Sequence, residues 1–204
     1  GAEFVYDEFS LENWLNLSDA NIAQNLLRSA QRLCIPKDHL LVETGETQLQ
    51  LPILRHGVVR GFLLDADGRD ITDCFAHRAG SVLAGSNSLN MPSSICLETM
   101  TPCEVVTIPI ADLLPLLSSS IELMQIYNNI LLDALQRHWE EKLMMHRCTA
   151  MERYQWFLCN YPGLIDLVCH KHIASFLGMT PVTLSRLRLQ LREMEKQTER
   201  QEES

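Results

Sequence analysis

The sequence predicts an α+β chain: an antiparallel β-roll with flanking helices, then one long helix, then a C-terminal helix-turn-helix. Three observations carry this. Six short β-favouring runs, punctuated by glycines, crowd residues 39–108. A helical stretch without Gly or Pro follows Ser119-Ser120 to about Arg147. Near the C-terminus, HKHIASFLGMTPVTLSRLRLQLR (170–192) reads as two short helices around a sharp turn. The domains expected are a β-roll unit over 1–118, a long helix over 119–148, and a helix-turn-helix unit with a polar tail over 149–204.

At the N-terminus the periodicity predicts a helix over 10–33. Ser18 or Asp19 would cap it, with Ile22, Leu26, Leu27, Ala30 and Leu33 on one side and Pro36 ending it. The β runs are His39–Glu43, Leu51–His56, Val58–Asp65, Arg69–His77, Ser94–Met100 and Cys103–Ile108. Asp67-Gly68 is a hairpin turn between two of them. A short helix is expected over Leu113–Leu117, broken by Pro115. Ser119 to Glu122 spells a capping box that opens the long helix. At ~1.5 Å per residue that helix runs roughly 40 Å.

Along the long helix Ile121, Met124, Asn128, Leu131, Leu135 and His138 form a seam near the 3.5-residue spacing of a coiled coil. It predicts a dimer interface, with Asn128 trading stability for register. The competing use of this helix is packing on its own barrel, through Tyr127, Leu132 and Trp139. A second capping box, Thr149 to Glu152, starts a helix to about Asn160 and places a boundary near 147–150. Pro162-Gly163 turns the chain, and residues 193–204 are polar enough to be expected frayed.

In the helix-turn-helix, Ile173, Ala174 and Leu177 share a face, and small Ala174 lets two helix axes cross closely. Gly178 suits a left-handed turn position. Thr180 is an N-cap and Pro181 a first helical residue. Leu184, Leu187 and Leu191 form the buried face of the second helix. Between Lys171 and Arg192 there are four basic residues and no acidic one, inside a chain of formal net charge -9. A net acidic chain is no uniformly basic nucleic-acid binder, but it can carry a local phosphate-facing surface. An amphipathic helical hairpin in an ordinary core is the competing reading.

Seven cysteines, an odd number with no CxxC pair, fit a reducing compartment rather than a disulfide framework. Cys34, Cys148 and Cys159 stay open as thiol sensors. No apolar run is long enough to span a bilayer and no secretory start is visible, so no membrane partner and a cytoplasmic location are expected. Because the chain opens on Gly1, its first residue or two are expected to be an expression remnant. Cys74 and His77 stand at odd spacing on one strand end, which sends them to opposite faces and argues against a shared metal.

Taken in order, the roll, the long helix, the hinge and the helix-turn-helix resemble the CRP/FNR family of bacterial transcription regulators across nearly the whole chain. The residues that carry the resemblance are ERYQWFL (152–158), HKHIASFLGMTPVTLSR (170–186), Gly45-Glu46, His56–Arg60, Asp65–Arg69 and Ala79-Gly80. The resemblance implies a cyclic-nucleotide-binding-like roll and a winged helix-turn-helix. It also implies a homodimer on a palindromic double-stranded DNA site and a contact with RNA polymerase. Carried over residue by residue, it makes Arg186 the first base reader. Thr180, Thr183 and Ser185 would meet phosphates or secondary base positions, and Pro181, Lys171 and Arg188 would line the same surface. Val182 departs from the family's glutamate at this position, and apolar contact with a thymine methyl is expected there instead.

The family's phosphate-holding positions read Gly80-Ser81 and Ser93-Ser94 here, without the usual glutamate and arginine. These four residues are the candidate effector pocket, and an effector other than cyclic AMP is expected. Iron–sulfur members group cysteines near the N-terminus, whereas Cys34 stands alone. No metal and no cofactor are expected. Two other function classes remain: a sensor or interaction protein of this fold without DNA binding, and a metal-dependent cupin-like enzyme. The second lacks a barrel HxH, and no GxSxG elbow, P-loop or HExxH occurs.

Overall fold

The computed structural model describes residues 10–202; Gly1, the residue expected to be foreign, lies outside them. The chain divides into two compact units. One holds the chain up to Leu63 together with Phe75–Leu135, and the other holds Leu64–Cys74 and the chain from Gln136 onward.

The first unit opens with α1 (Leu11–Leu15), where Ser10 Oγ accepts the Asn13 N–H, and α2 (Ala20–Ser29), where the Asp19 carboxylate accepts from Asn21 and Ile22. The single helix expected over 10–33 is therefore corrected. Asn16 adopts a left-handed φ of 46° that ends α1, and α2 stops at Ser29. Residues Gln31–Ile35 form strand β1, paired antiparallel with β7 (Cys103–Pro109), with Leu33 opposite Val105. Ala30 and Leu33 continue the helical pattern in sequence, but the backbone ladder along β7 overrides that local preference.

Between them run β2 (Leu40–Val42), β3 (Gln50–His56), β4 (Val59–Leu64), β5 (Asp70–Ala76) and β6 (Cys96–Thr99). The order is β1-β7-β3 in one sheet and β2-β6-β4-β5 in the other. Strand β7 shows how the core is divided. Cys103 and Val105 face a cluster shared by both sheets with Val42, Leu54, Val59 and Leu97, whereas Val106 and Ile108 face a cluster with Leu26, Leu113, Leu117 and Leu123. Period-2 alternation thus gives one strand two apolar faces.

Helix α3 (Ile110–Ser119) is longer than the expected 113–117 and carries Pro115 inside it. Helix α4 spans Ile121–Arg147. Its cap is Ser120, whose Oγ accepts the Leu123 N–H at 3.2 Å. The expected Ser119–Glu122 box does not form, because the Glu122 carboxylate instead accepts from Ser18, from its N–H at 2.9 Å and its hydroxyl at 2.7 Å. Those bonds hold the Glu122 carboxyl below its ordinary value.

The second unit continues with α5 (Ala150–Asn160), opened by the complete Thr149–Glu152 capping box, then α6 (Leu164–Leu167), α7 (His170–Phe176) and α8 (Pro181–Glu202). Two expectations are corrected here. The polar tail is helical to Glu202: residues 193–202 are nearly all strong helix formers that extend an already nucleated helix. No strand follows β7 among the described residues, so the expected wing is not found among them.

Within this unit the end of α4 is bonded to α5. The Tyr161 hydroxyl donates to Glu141 at 3.0 Å. Burial raises the Glu141 carboxyl above its ordinary value, Asp73 adds to the shift, and the Tyr161 hydroxyl, His138 and Arg137 oppose it. Burial and the Glu141 charge push the Tyr161 phenol up, so it remains the donor. No described helix is long and apolar enough to cross a membrane.

Two measurements follow from these contacts. Gly57 (φ 102°) and Gly178 (φ 66°) both sit in left-handed backbone, but a Cβ at Gly57 would lie 2.6 Å from the Pro102 carbonyl, whereas at Gly178 it would meet only the mobile tip of Met145. Urea unfolding is expected to show Gly178→Ala losing about 1–2 kcal/mol and Gly57→Ala losing clearly more, since backbone cannot step aside. Glu141, with its pKa raised on folding, stabilises fully only below the unfolded value of about 4.3 and loses that contribution as pH rises through the folded one. Glu141→Gln keeps the acceptor without the charge. It is expected to be more stable than the parent at pH 7, with the difference closing as pH falls toward 4.

Candidate nucleic-acid interface

The surface of interest is built on the crossing of α7 and α8. Ile173, Ala174, Leu177 and Leu184 are fully buried, and Ala174 supplies no side chain beyond Cβ where the helices meet. Gly178 turns the chain, with its N–H donating to Ser175 and the Met179 N–H to Ala174. Thr180 Oγ1 accepts the Thr183 N–H at 3.2 Å and lies 3.0 Å from the Thr183 hydroxyl, so it caps α8 as expected, and Pro181 is the first helical residue.

Behind this crossing lies an aromatic cluster. Phe157 stacks on Tyr161 with centroids 5.1 Å apart, and Phe176 meets Tyr161 edge-on at 5.7 Å. Arg153 ties the turn to the start of α5, donating from Nε to the Leu177 carbonyl at 2.9 Å and from Nη1 to the Cys148 carbonyl at 3.1 Å. A buried core, a cap and an arginine clamp therefore fix the direction of α8.

Of the residues singled out from sequence, Lys171, Thr180, Pro181, Val182, Ser185 and Arg186 are exposed, and Val182 is 60% accessible. Pro181 to Arg186 bring a hydroxyl, an apolar side chain and a guanidinium together on the first two turns of α8. Thr183 is half-buried, with its hydroxyl held by Thr180. Arg188 is set apart from this group. It is half-buried, and its Nη1 lies 3.0 Å and 3.1 Å from the two ring nitrogens of His170, whose Nε2 is 3.0 Å from the Ile165 carbonyl. With Nε2–H donated to Ile165, Nδ1 is left to accept from Arg188. This tie joins the start of α7 to the middle of α8. Eighteen residues separate the pair, and no local spacing announces it.

The four candidate effector positions lie in the first unit, where their backbone N–H groups bond within the chain and the Ser94 side chain is exposed. The Gly80 N–H donates to Leu54 at 2.7 Å, Ser81 to Arg78 at 3.1 Å, Ser93 to Glu46 at 2.7 Å and Ser94 to Gly85 at 2.9 Å. The buried Ser93 hydroxyl donates to the Ile95 carbonyl at 2.6 Å and fills the space of a Cβ at Gly85, which would sit 1.8 Å away. Gln48, which nothing in its sequence context marked, joins the same loop, accepting from the Gly85 N–H and donating to the Leu83 carbonyl. An anion placed here would have to displace these bonds.

On α4, Leu123, Ile126 and Tyr127 belong to the core. Ile121, Met124, Asn128, Leu135 and His138 of the expected seam are exposed and Leu131 is half-buried. Leu132 and Trp139, considered above for the barrel side, are corrected: they are 61% and 52% accessible and widen the exposed apolar stripe.

No protein-family model and no curated protein sequence matches the chain. Solved structures do. FixK2 from Bradyrhizobium japonicum superposes with a TM-score of 0.74 at 22% identity, over 81% of this chain and 86% of that one. CLP, a c-di-GMP-responsive global regulator from Xanthomonas campestris, gives 0.68 at 15% identity, over 87% and 93%. A regulator from Eubacterium rectale assigned to the CRP/FNR family gives 0.69 at 17% identity, over 92% and 88%. At these identities the likeness concerns the fold: the chain has the fold of the CRP/FNR regulators.

Proposed function

We propose that the protein is a homodimeric, sequence-specific DNA-binding regulator of transcription, and not an enzyme. The observation that carries this reading is the exposed first face of α8. It presents Arg186 beside Val182 and Ser185 on a helix whose direction is fixed by a buried crossing, within a segment holding four basic residues and no acidic one. Such a helix fits the major groove, where a guanidinium can donate two bonds to guanine O6 and N7. Among the described residues Arg186 has no hydrogen bond or ion pair that this contact would break.

Lys171, Thr180 and Ser185 are placed to meet phosphates, and Pro181 is exposed beside Thr180. Arg188, held by His170, supports the reading helix more than it touches DNA. The exposed α4 stripe of Ile121, Met124, Leu135 and Trp139 supports pairing of two copies. That pairing would set two α8 helices on the half-sites of a palindrome one helical turn apart, with RNA polymerase as the further partner of a regulator. The loop at Gly80, Ser81, Ser93 and Ser94, whose amides bond within the chain, supports an effector other than cyclic AMP.

Affinity selection of genomic DNA fragments by the full chain tests this. A palindromic site is expected, with affinity falling about a hundredfold or more between roughly 50 and 200 mM salt. Arg186→Ala is expected to weaken it about ten- to a hundredfold, the worth of a bidentate base contact. Millimolar cyclic AMP should leave the affinity unchanged. Equal recovery of all fragments at low salt, indifferent to Arg186, would overturn the reading.

A further inference from the structure

The reading face of α8 extends past the residues considered so far. Leu189 is 60% accessible, as exposed as Val182, although the leucines around it are not: Leu184 is fully buried and Leu187 and Leu191 are half-buried. Positions 182, 186 and 189 follow the i, i+4, i+7 spacing of one helical stripe. Two apolar side chains therefore flank the Arg186 guanidinium on a single line. From Val182 to Leu189 the rise is about 10 Å at ~1.5 Å per residue. That matches about three base-pair steps at ~3.4 Å each. The next residue on the line is Glu193, exposed and anionic, which repels phosphate and marks where close contact ends.

We propose that Leu189 is a third base-reading residue, closing on the C5-methyl of a thymine on the far side of the base pair read by Arg186 from Val182. The inference rests on the DNA-binding reading above and adds to it a residue and a base. Leucine brings neither donor nor acceptor. Set against most major-groove edges it would cover a polar atom without pairing it, at a cost in affinity. The thymine methyl is the one apolar group that the groove offers. A solitary exposed leucine is common on protein surfaces. Leu189 is distinguished by its alignment with Val182 and Arg186 and by the acid-free charge of the segment, which suits a polyanion better than an apolar protein partner.

The test uses the DNA site selected by the full-length protein. Each thymine is replaced in turn by deoxyuridine, which keeps the base pair and removes only the methyl. Affinity is then measured for the parent, Leu189→Ala and Val182→Ala. Leu189 is exposed and alanine is the best helix former, so folding is not at risk. One thymine per half-site is expected whose demethylation weakens the parent about three- to five-fold, the worth of one buried methyl, and leaves Leu189→Ala unaffected. A second thymine, on the other side of the Arg186 guanine, should behave in the same way toward Val182→Ala. If every deoxyuridine weakens Leu189→Ala as much as the parent, the role of Leu189 is overturned while DNA reading stands. If the parent selects no site, both readings fall together.

Discussion

Everything proposed for this protein depends on the close crossing of α7 and α8. A reading helix is useful only if its exposed face is held in one direction, and here that direction is set by four fully buried side chains. Ala174 allows the approach, Leu184 fills it, and Ile173 and Leu177 complete a core too small to tolerate a gap. Arg153 clamps the turn by its Leu177 carbonyl, and the His170–Arg188 contact fastens the other end. Two of the chain's basic residues are thus spent on shape. What remains exposed, Arg186 with its apolar neighbours, is a small surface, and its positioning matters more than its total charge.

A small surface binds weakly alone, and this gives the long helix its importance. On the proposed reading, the exposed stripe on α4 would join two copies, and joining them would make the second half-site contact intramolecular. In the first unit, by contrast, the loop that cradles phosphate in the cyclic-nucleotide members is closed by its own hydrogen bonds. Ser93 shows this most clearly: its amide, hydroxyl and position against Gly85 are all used within the chain.

The architecture was legible wherever local chemistry decides it. Thr149–Glu152, Gly178, Thr180-Pro181 and the small residue at 174 each state their role within a few positions, and the structure has them in those roles. Sequence reading failed where a distant partner decides. Gln31–Ile35 is a strand only because β7 offers it a ladder. Glu122 leaves its own helix end for Ser18, 104 residues away. Arg188 looked like one more phosphate contact until His170 was placed beside it. The wing came from resemblance alone, and the helical propensity of residues 193–202 stood against it. Leu189 lies opposite the Leu184, Leu187 and Leu191 face by helical spacing alone, and the structure adds that no neighbour covers it.

The most direct test of the reading helix is methylation interference on a bound DNA fragment. Methylation of guanine N7 blocks the major groove at one atom, whereas methylation of adenine N3 blocks the minor groove. If Arg186 reads guanine as argued, N7 methylation of one guanine in each half-site abolishes binding by the parent chain. Adenine N3 methylation at the neighbouring A·T pairs leaves it intact. Binding that survives every N7 methylation, or that is lost through minor-groove adenines instead, would contradict the placement of α8 in the major groove.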